Sequence, residues 1–304
     1  MPIKTKITVV ALSLSICLSS AVYAAPTSAP YLSPSEPVAQ KTNSESEKAN
    51  VLFEAIFMEN VQASPISQTY LGIKTDYDKW DEMSDAATDA NLARTKKHLA
   101  QLNMLNVDKL DRQTKLSYQL LTQKLEQEIK DDQWRYHSYP VNQMYGGHSQ
   151  IASFLINQHQ ISDIKDAKAY ISRLNGVPKR LSQLQTALEI RANKGIIAPK
   201  FVFPYVISDS KNIVKGAPFD EGEDSALWAD FKRKVNALSI SSDEQQQLLT
   251  AAKEALVDDV KPAYDKLIGY MGKLESKADT RDGAWKFPKG ETYYNNALAR
   301  TTTT

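Results

Sequence analysis

The chain has 304 residues, with 37 Lys plus Arg against 36 Asp plus Glu, four His and one Cys. A net charge of +1 argues against nucleic acid or an anionic membrane as the main partner, since either would want a clustered basic face. The single cysteine, Cys17, excludes an internal disulfide.

Residues 1–24 read as a secretory signal peptide. Lys4 and Lys6 give a positive start, an apolar stretch runs from Ile7 to Leu18, and Val22-Tyr23-Ala24 supplies a cleavage site after Ala24. A transmembrane anchor is the lesser reading, because the run falls short of the ~20 residues a span needs. Lipidation at Cys17 is also the lesser reading, since Ile16 stands where a small residue is required. Losing Lys4 and Lys6 leaves 35 basic against 36 acidic residues, and the mature chain has no cysteine for a thiolate metal site or nucleophile. The expected location is the periplasm or outside the cell, with no membrane span once the leader is gone.

Pro26, Pro30, Pro34 and Pro37 with many Ser, Thr and Ala make residues 25–46 a flexible linker, because such a composition buries too little apolar surface to offset ordering entropy. Residues 47–304 are then expected to form one large helical domain. Leu52, Phe53, Ile56, Phe57 and Val61 have helical spacing, and Ser64-Pro65 ends that helix. Ser84 caps a second helix expected to reach Asn106. A third runs from Arg112 to Lys130, with Leu116, Leu120, Leu121, Leu125 and Ile129 predicted to face inward. The Tyr136–His148 stretch, with Pro140, Gly146 and Gly147, reads as an ordered loop, either a packing corner or a cleft wall. Helices follow over 151–158, from 163 to 193 with a disturbance at Gly176 to Pro178, over 199–208 and over 225–238. Gly195 is placed for a left-handed C-cap. Ser241-Ser-Asp-Glu244 is a capping box opening a long helix that Pro262 should kink or restart. No period-two strand emerges. The class is all-α, one domain of about nine to eleven helices.

Chemistry is sparse in this pattern. None of His98, His137, His148 and His159 belongs to a His-Glu-x-x-His pair. His98, on a Lys-rich face, reads as surface, and His159 as a helix-end residue suited to the dipole. His148 has a possible place in a ligand site. Asp131-Asp132, Asp258-Asp259 and the 220–224 acidic run read as solvated rather than as calcium loops. The chain's last segment, Gly283 to Arg300, carries Trp285, a Pro288-Lys289-Gly290 turn and the Tyr293-Tyr294 pair. It reads as the start of a helix beyond which more protein is expected.

Four ordered stretches resemble a bacterial family catalogued as domain of unknown function 885. They are Phe53 to Gly72; Tyr139 to Gln143 with Gly146-Gly147; Val260-Lys-Pro262-Ala-Tyr264 with Leu267; and Gly283 through Gly290 with Tyr293-Tyr294 and Thr301 to Thr303. The resemblance implies the N-terminal half of a helical zinc-peptidase-like fold, whose metal motif, His-Glu-x-x-Pro-Gly-His-His, lies in a second half without counterpart here. No catalytic or zinc residue is therefore transferred, and zinc is implied only for the full-length family. The resemblance makes Asn142, Gln143, His148, Tyr293 and Tyr294 the expected substrate-cleft wall. Expected partners are a peptide substrate or the missing C-terminal half, and the chain alone is expected to be inactive. The alternative is a stand-alone periplasmic helical binding or interaction module.

Overall fold

The computed structural model describes residues 44–302. The stretches read above as leader, cleavage site and, up to residue 43, linker lie outside the described residues. Among the described residues the fold is all-α, with isolated bridges at Val141–Gly146 and Ala217–Asp224 as the only β-type pairing.

Helix α1 (Glu45–Gln62) opens two residues inside the stretch read as linker. Ser44 accepts from the Glu47 N–H, and the Glu47 carboxylate accepts from the Ser44 N–H, closing a capping box. Pro65 both ends α1 and starts α2 (Pro65–Tyr70), because its fixed φ suits a first turn and its missing N–H is not needed there. Ser84 caps α3 (Asp85–Leu102) and Asp111 caps α4 (Arg112–Asp131). Helices α1, α3 and α4 bury a small cluster of Ile56, Leu102 and Leu125. The inward expectation for Leu116 and Leu120 fails: they are 49% and 58% exposed. Thr114, Leu121 and Leu125 form the stripe that turns toward α1 and α3, and Leu116 and Leu120 lie on another face of the same helix. His98 is corrected in the opposite sense. It is buried, in line with Thr95 and Leu102, and its Nε2 lies 3.0 Å from the Glu59 carboxylate of α1.

The larger core belongs to α5 (Gly147–Asn157), α6 (Ile164–Asn175), α7 (Val177–Asn193), α8 (Val202–Ile213), α9 (Ala226–Asn236), α10 (Ser242–Glu254) and α11 (Lys261–Glu275). Helix α5 starts earlier than expected, and α8 starts later and continues through residues read as loop. Gly195 adopts φ 77° just past α7, as its spacing predicts. The capping box at Ser241 and Glu244 forms. Pro262 stands, as expected, in the first turn of a new α-helical stretch, α11. A π-helical segment, Ala255–Val260, interrupts the regular ladder between α10 and α11, and its wider turn accommodates the proline ring next to the preceding carbonyls. Among the described residues the α-helices run from α1 to α12 (Gly290–Thr301).

Two buried cations pin this core. The Arg173 guanidinium is fully buried; it donates to the Lys79 carbonyl (3.0 Å), His159 Nδ1 (2.9 Å) and Thr69 Oγ1 (2.8 Å). It also lies 4.8 Å from the Phe154 ring centre, 5.2 Å from that of Tyr77 and 5.5 Å from that of Trp80. A guanidinium only donates, so His159 Nδ1 must accept and the ring proton sits on Nε2, 3.1 Å from the Asp166 carbonyl. Burial, with Arg173 and Lys234 nearby, holds His159 at about 3, so it is neutral. The expectation of a charged helix-end histidine is thereby overturned. Lys234 takes that role: its ammonium reaches the carbonyls of Leu155, Ile156 and His159, each at 2.9 Å, and the Asp230 carboxylate at 2.7 Å. Carbonyls at the end of α5 that have no intrahelical partner are thus met by a positive charge.

Two outcomes follow from this geometry. Arg173→Met keeps the volume but strands three acceptors, so urea unfolding should show a loss of about 3 kcal/mol or more; a loss under about 1 kcal/mol would mean that packing alone matters. His159 has a folded value depressed below its unfolded value of about 6.5, so its contribution is full above that pH and is lost as pH falls toward 3. The unfolding free energy should therefore fall on acidification through this window, by at most about 1.4 kcal/mol per pH unit from this group, with the melting temperature falling alongside, and His159→Gln should flatten that slope.

Candidate functional site

A group of polar-tipped aromatic side chains forms a seam between residues 134–139, which follow α4, and the start of α12. Sequence places Trp134, His137 and Tyr139 at spacings that a short 3-10 turn (Asp132–Trp134) and an irregular run bring to one side. Ring centres of Trp134 and His137 are 4.9 Å apart, and those of His137 and Tyr293 are 5.2 Å apart. Phe287, from the segment before α12, packs into this seam, 5.3 Å from Tyr139 and 5.8 Å from Tyr293. Arg191 of α7 holds the first wall by donating to the backbone carbonyls of Ser138 (3.0 Å) and Arg135 (2.9 Å). Asp131 at the end of α4 holds the second, accepting from Asn296 (2.6 Å) and Arg300 (3.0 Å) of α12.

The hydrogen bonding of the seam is incomplete. Trp134 Nε1, His137 Nδ1, the Tyr139 hydroxyl and Asn296 Oδ1 are buried atoms without a partner. His137 Nε2 sits 3.0 Å from the Pro288 carbonyl. A carbonyl accepts only, so Nε2 carries the proton and Nδ1 presents a lone pair in the neutral ring. Burial pushes the Tyr139 hydroxyl up to about 12, so it stays protonated as a donor. Two donors and two acceptors are thus buried here without a partner. An unpaired buried polar atom costs about 1–3 kcal/mol, so each calls for an explanation.

The five residues expected as cleft wall do not come together as one group. Tyr293 lies in the seam, and its neighbour Tyr294 turns outward, 53% exposed. Asn142 Oδ1 accepts from the Met144 and Tyr145 N–H groups and so shapes the loop, while Gln143 is exposed at its tip. His148 is fully buried in the first turn of α5, its Nε2 3.7 Å from Asp209 of α8, and burial lowers its pKa. It faces the interior between helices, and Gly146, two residues earlier, leaves the loop room to close: a Cβ there would lie 2.6 Å from Val141 Cα and 3.0 Å from His148 Nδ1. The sequence reading left Trp134, Tyr139 and Phe287 out of the site. The signal for the first wall was present in the aromatic recurrence at 134, 137 and 139, but nothing local ties it to Phe287 about 150 residues on.

The larger concavities lie away from the rings of this seam. A groove of about 560 Å³ between α7 and the π segment is lined by Pro178, Gln185, Asp258, Asp259 and Lys266 and contains none of the expected residues. Among the described residues no group of three or more His, Cys, Asp or Glu is placed to hold a metal ion, so the zinc implied by the resemblance finds no fitting ligand set in them. Also among these residues, no helix is long and apolar enough to cross a membrane.

Residues 65–304 match the family described as bacterial protein of unknown function (DUF885), and the chain belongs to that family. Comparison with curated proteins gives no match. Among solved structures, the chain is similar to the crystal structure of "the putative lipoprotein from Colwellia psychrerythraea", with a TM-score of 0.73 and 20% identity, over 86% of this chain and 47% of that one. That likeness shows a shared fold, and this chain spans about half the length of that protein.

If the Trp134 indole N–H is idle in the free protein, Trp134→Phe removes an unpaired donor from a buried place. Thermal unfolding should then show a change within about 1 kcal/mol of zero, or a gain; a loss of about 2 kcal/mol or more would mean that the N–H does structural work.

Proposed function

We propose that this family member is an exported protein whose helical body forms the scaffold and substrate-cleft half of a zinc-dependent, peptidase-like hydrolase, with the metal-bearing half lying outside this chain. The observation that carries the reading is the aromatic seam, where Trp134, His137, Tyr139 and Asn296 hold unpartnered hydrogen-bonding atoms. A peptide is the class of ligand that answers such a surface, since its amides both donate and accept while its side chains pack on rings. Support for export comes from the leader over residues 1–24, and from a fold neighbour described as a lipoprotein, a class that is itself exported. Support for a half-length role comes from the 47% of that neighbour that the chain covers. Zinc, where a partner half supplies it, polarises a carbonyl and activates water; the residues described here contribute positioning and contact.

A second reading, a self-sufficient helical interaction module, draws on the apolar side chains left outside at Val51, Phe57, Leu116 and Leu120. Incubation of the pure chain with a mixture of peptides, followed by mass spectrometry with and without a chelator, separates enzyme from scaffold. No chelator-sensitive cleavage is expected, and such cleavage would overturn the scaffold assignment. Light scattering on the same sample separates the two remaining readings: a compact monomer that melts cooperatively favours the module, and self-association through the apolar face favours a body made to be covered.

A further inference from the structure

The seam is not empty of peptide: the chain's own residues Ala284–Lys289 lie on it. Phe287 is 8% exposed, whereas Trp285 two residues earlier is 66% exposed. Phe287 enters the seam side chain first, its ring 5.3 Å from Tyr139, 5.8 Å from Tyr293 and 6.0 Å from His137. One residue on, the Pro288 carbonyl accepts from His137 Nε2 at 3.0 Å. An aromatic side chain in a ring-lined pocket, followed by a backbone carbonyl on a fixed donor, is how an extended peptide is held by a protein.

The strap is tethered outside the seam rather than built into it. Lys286 reaches Asp279 Oδ1 and the Arg281 carbonyl, both at 3.1 Å. At its far end Lys289 takes φ 54°, the left-handed region that a lysine adopts only under constraint, and the turn closes so tightly that a Cβ at Gly290 would lie 2.2 Å from the Ala284 carbonyl oxygen. Even so, the strap satisfies only one of the seam's hydrogen-bonding groups. Trp134 Nε1, His137 Nδ1 and the Tyr139 hydroxyl remain unpaired beneath it.

We propose that Ala284–Lys289 is an intramolecular stand-in for a peptide ligand, and that the seam binds in its place a peptide carrying an aromatic side chain followed by a free backbone carbonyl. The proposal deepens the peptide-contact reading above and rests on it. Phe287 marks the pocket for the side chain, His137 Nε2–H is the carbonyl donor, and Trp134 Nε1–H, His137 Nδ1 and the Tyr139 hydroxyl are the contacts that an incoming peptide gains and the strap lacks. Affinity for a ligand is reduced by the fraction of molecules in which the site is free, so a seated strap weakens binding and its removal restores it.

The test uses the full chain and a fluorescein-labelled peptide of the strap's own sequence, acetyl-Ala-Trp-Lys-Phe-Pro-Lys-amide, with a Phe-to-Ala peptide as control. Fluorescence anisotropy should show Phe287→Ala binding the labelled peptide roughly ten- to a hundredfold more tightly than the unaltered chain. The control peptide should bind neither. Equal affinity of the two chains, equal binding of the control peptide, or no binding of the strap peptide to Phe287→Ala would each overturn the proposal. If Phe287→Ala does not melt cooperatively, Phe287→Leu decides in its place, with tighter binding than the unaltered chain required. A random peptide library assayed on both chains separates the two levels. Library peptides bound equally by both sink the strap and leave peptide contact standing, whereas no binding of any peptide to either chain removes the peptide-contact reading itself.

Discussion

The fold depends on a positive charge kept out of water. Arg173 has lost its hydration shell entirely, and a guanidinium in that position costs several kcal/mol unless every N–H direction is answered. The answers come from far apart in sequence: Thr69 in α2, the Lys79 carbonyl in the connecting stretch, and His159 after α5. Satisfying one buried cation therefore fixes one short helix and two irregular segments at once. Lys234 repeats the device a short distance away, and His159 joins the two, giving its Nδ1 lone pair to Arg173 and its carbonyl to Lys234. Because both cations forbid a third positive charge, His159 must stay neutral, and the tautomer of one ring becomes a condition of the core.

That hub explains why the irregular parts of the chain are ordered. The stretch from Gly72 to Trp80 has no helix to hold it, yet Trp80 donates to the Arg173 carbonyl at 2.8 Å and Lys74 pairs with Asp166 at 2.6 Å. Neither contact would survive a shift of α6. The α1–α3–α4 group is held differently, around only Ile56, Leu102 and Leu125 at its centre, and it leaves Leu116 and Leu120 in water. A body with a tightly specified large core and a lightly packed flank has an obvious place for further contacts, and the seam lies between the two, with one wall tied to α7 through Arg191 and the other to α4 through Asp131.

Much of this was readable from residues in order. Local rules with a single cause held: Ser84 and Ser241 capped the helices they precede, Ser64-Pro65 ended α1, and Gly195 took the left-handed turn. What the sequence left unread is everything set by partners distant along the chain. Leu116 and Leu120 have the same local spacing as buried leucines, and only the positions of α1 and α3 decide which stripe is covered. His98 sits beside Lys96 and Lys97, which mask a buried stripe at 95, 98 and 102. Asn142 and His148 flank the same loop as His137, but one shapes the turn and the other enters the interior. The part of the site that was readable, Tyr293, came from the resemblance. The part that was not, Trp134 with Tyr139 and Phe287, arises from a meeting of segments about 150 residues apart.

The seam stands out because it breaks the rule the hub obeys. Around Arg173 each donor finds an acceptor, at distances of 2.8–3.0 Å. Among the described residues nine buried side-chain atoms lack a partner, and four of them, on Trp134, His137, Tyr139 and Asn296, belong to this one seam. Random imperfection would scatter such atoms, and a packing corner would carry Phe or Leu where Trp, His and Tyr stand. Consistency across levels of structure is what lets a sequence specify a fold, and its local failure marks the place where something other than folding selected the residues. Here the failure is also directional. The unpaired atoms lie beneath a strap that presents its own peptide carbonyl to His137, so the group able to satisfy them has the same chemistry as the group already there, with more of its amides in reach.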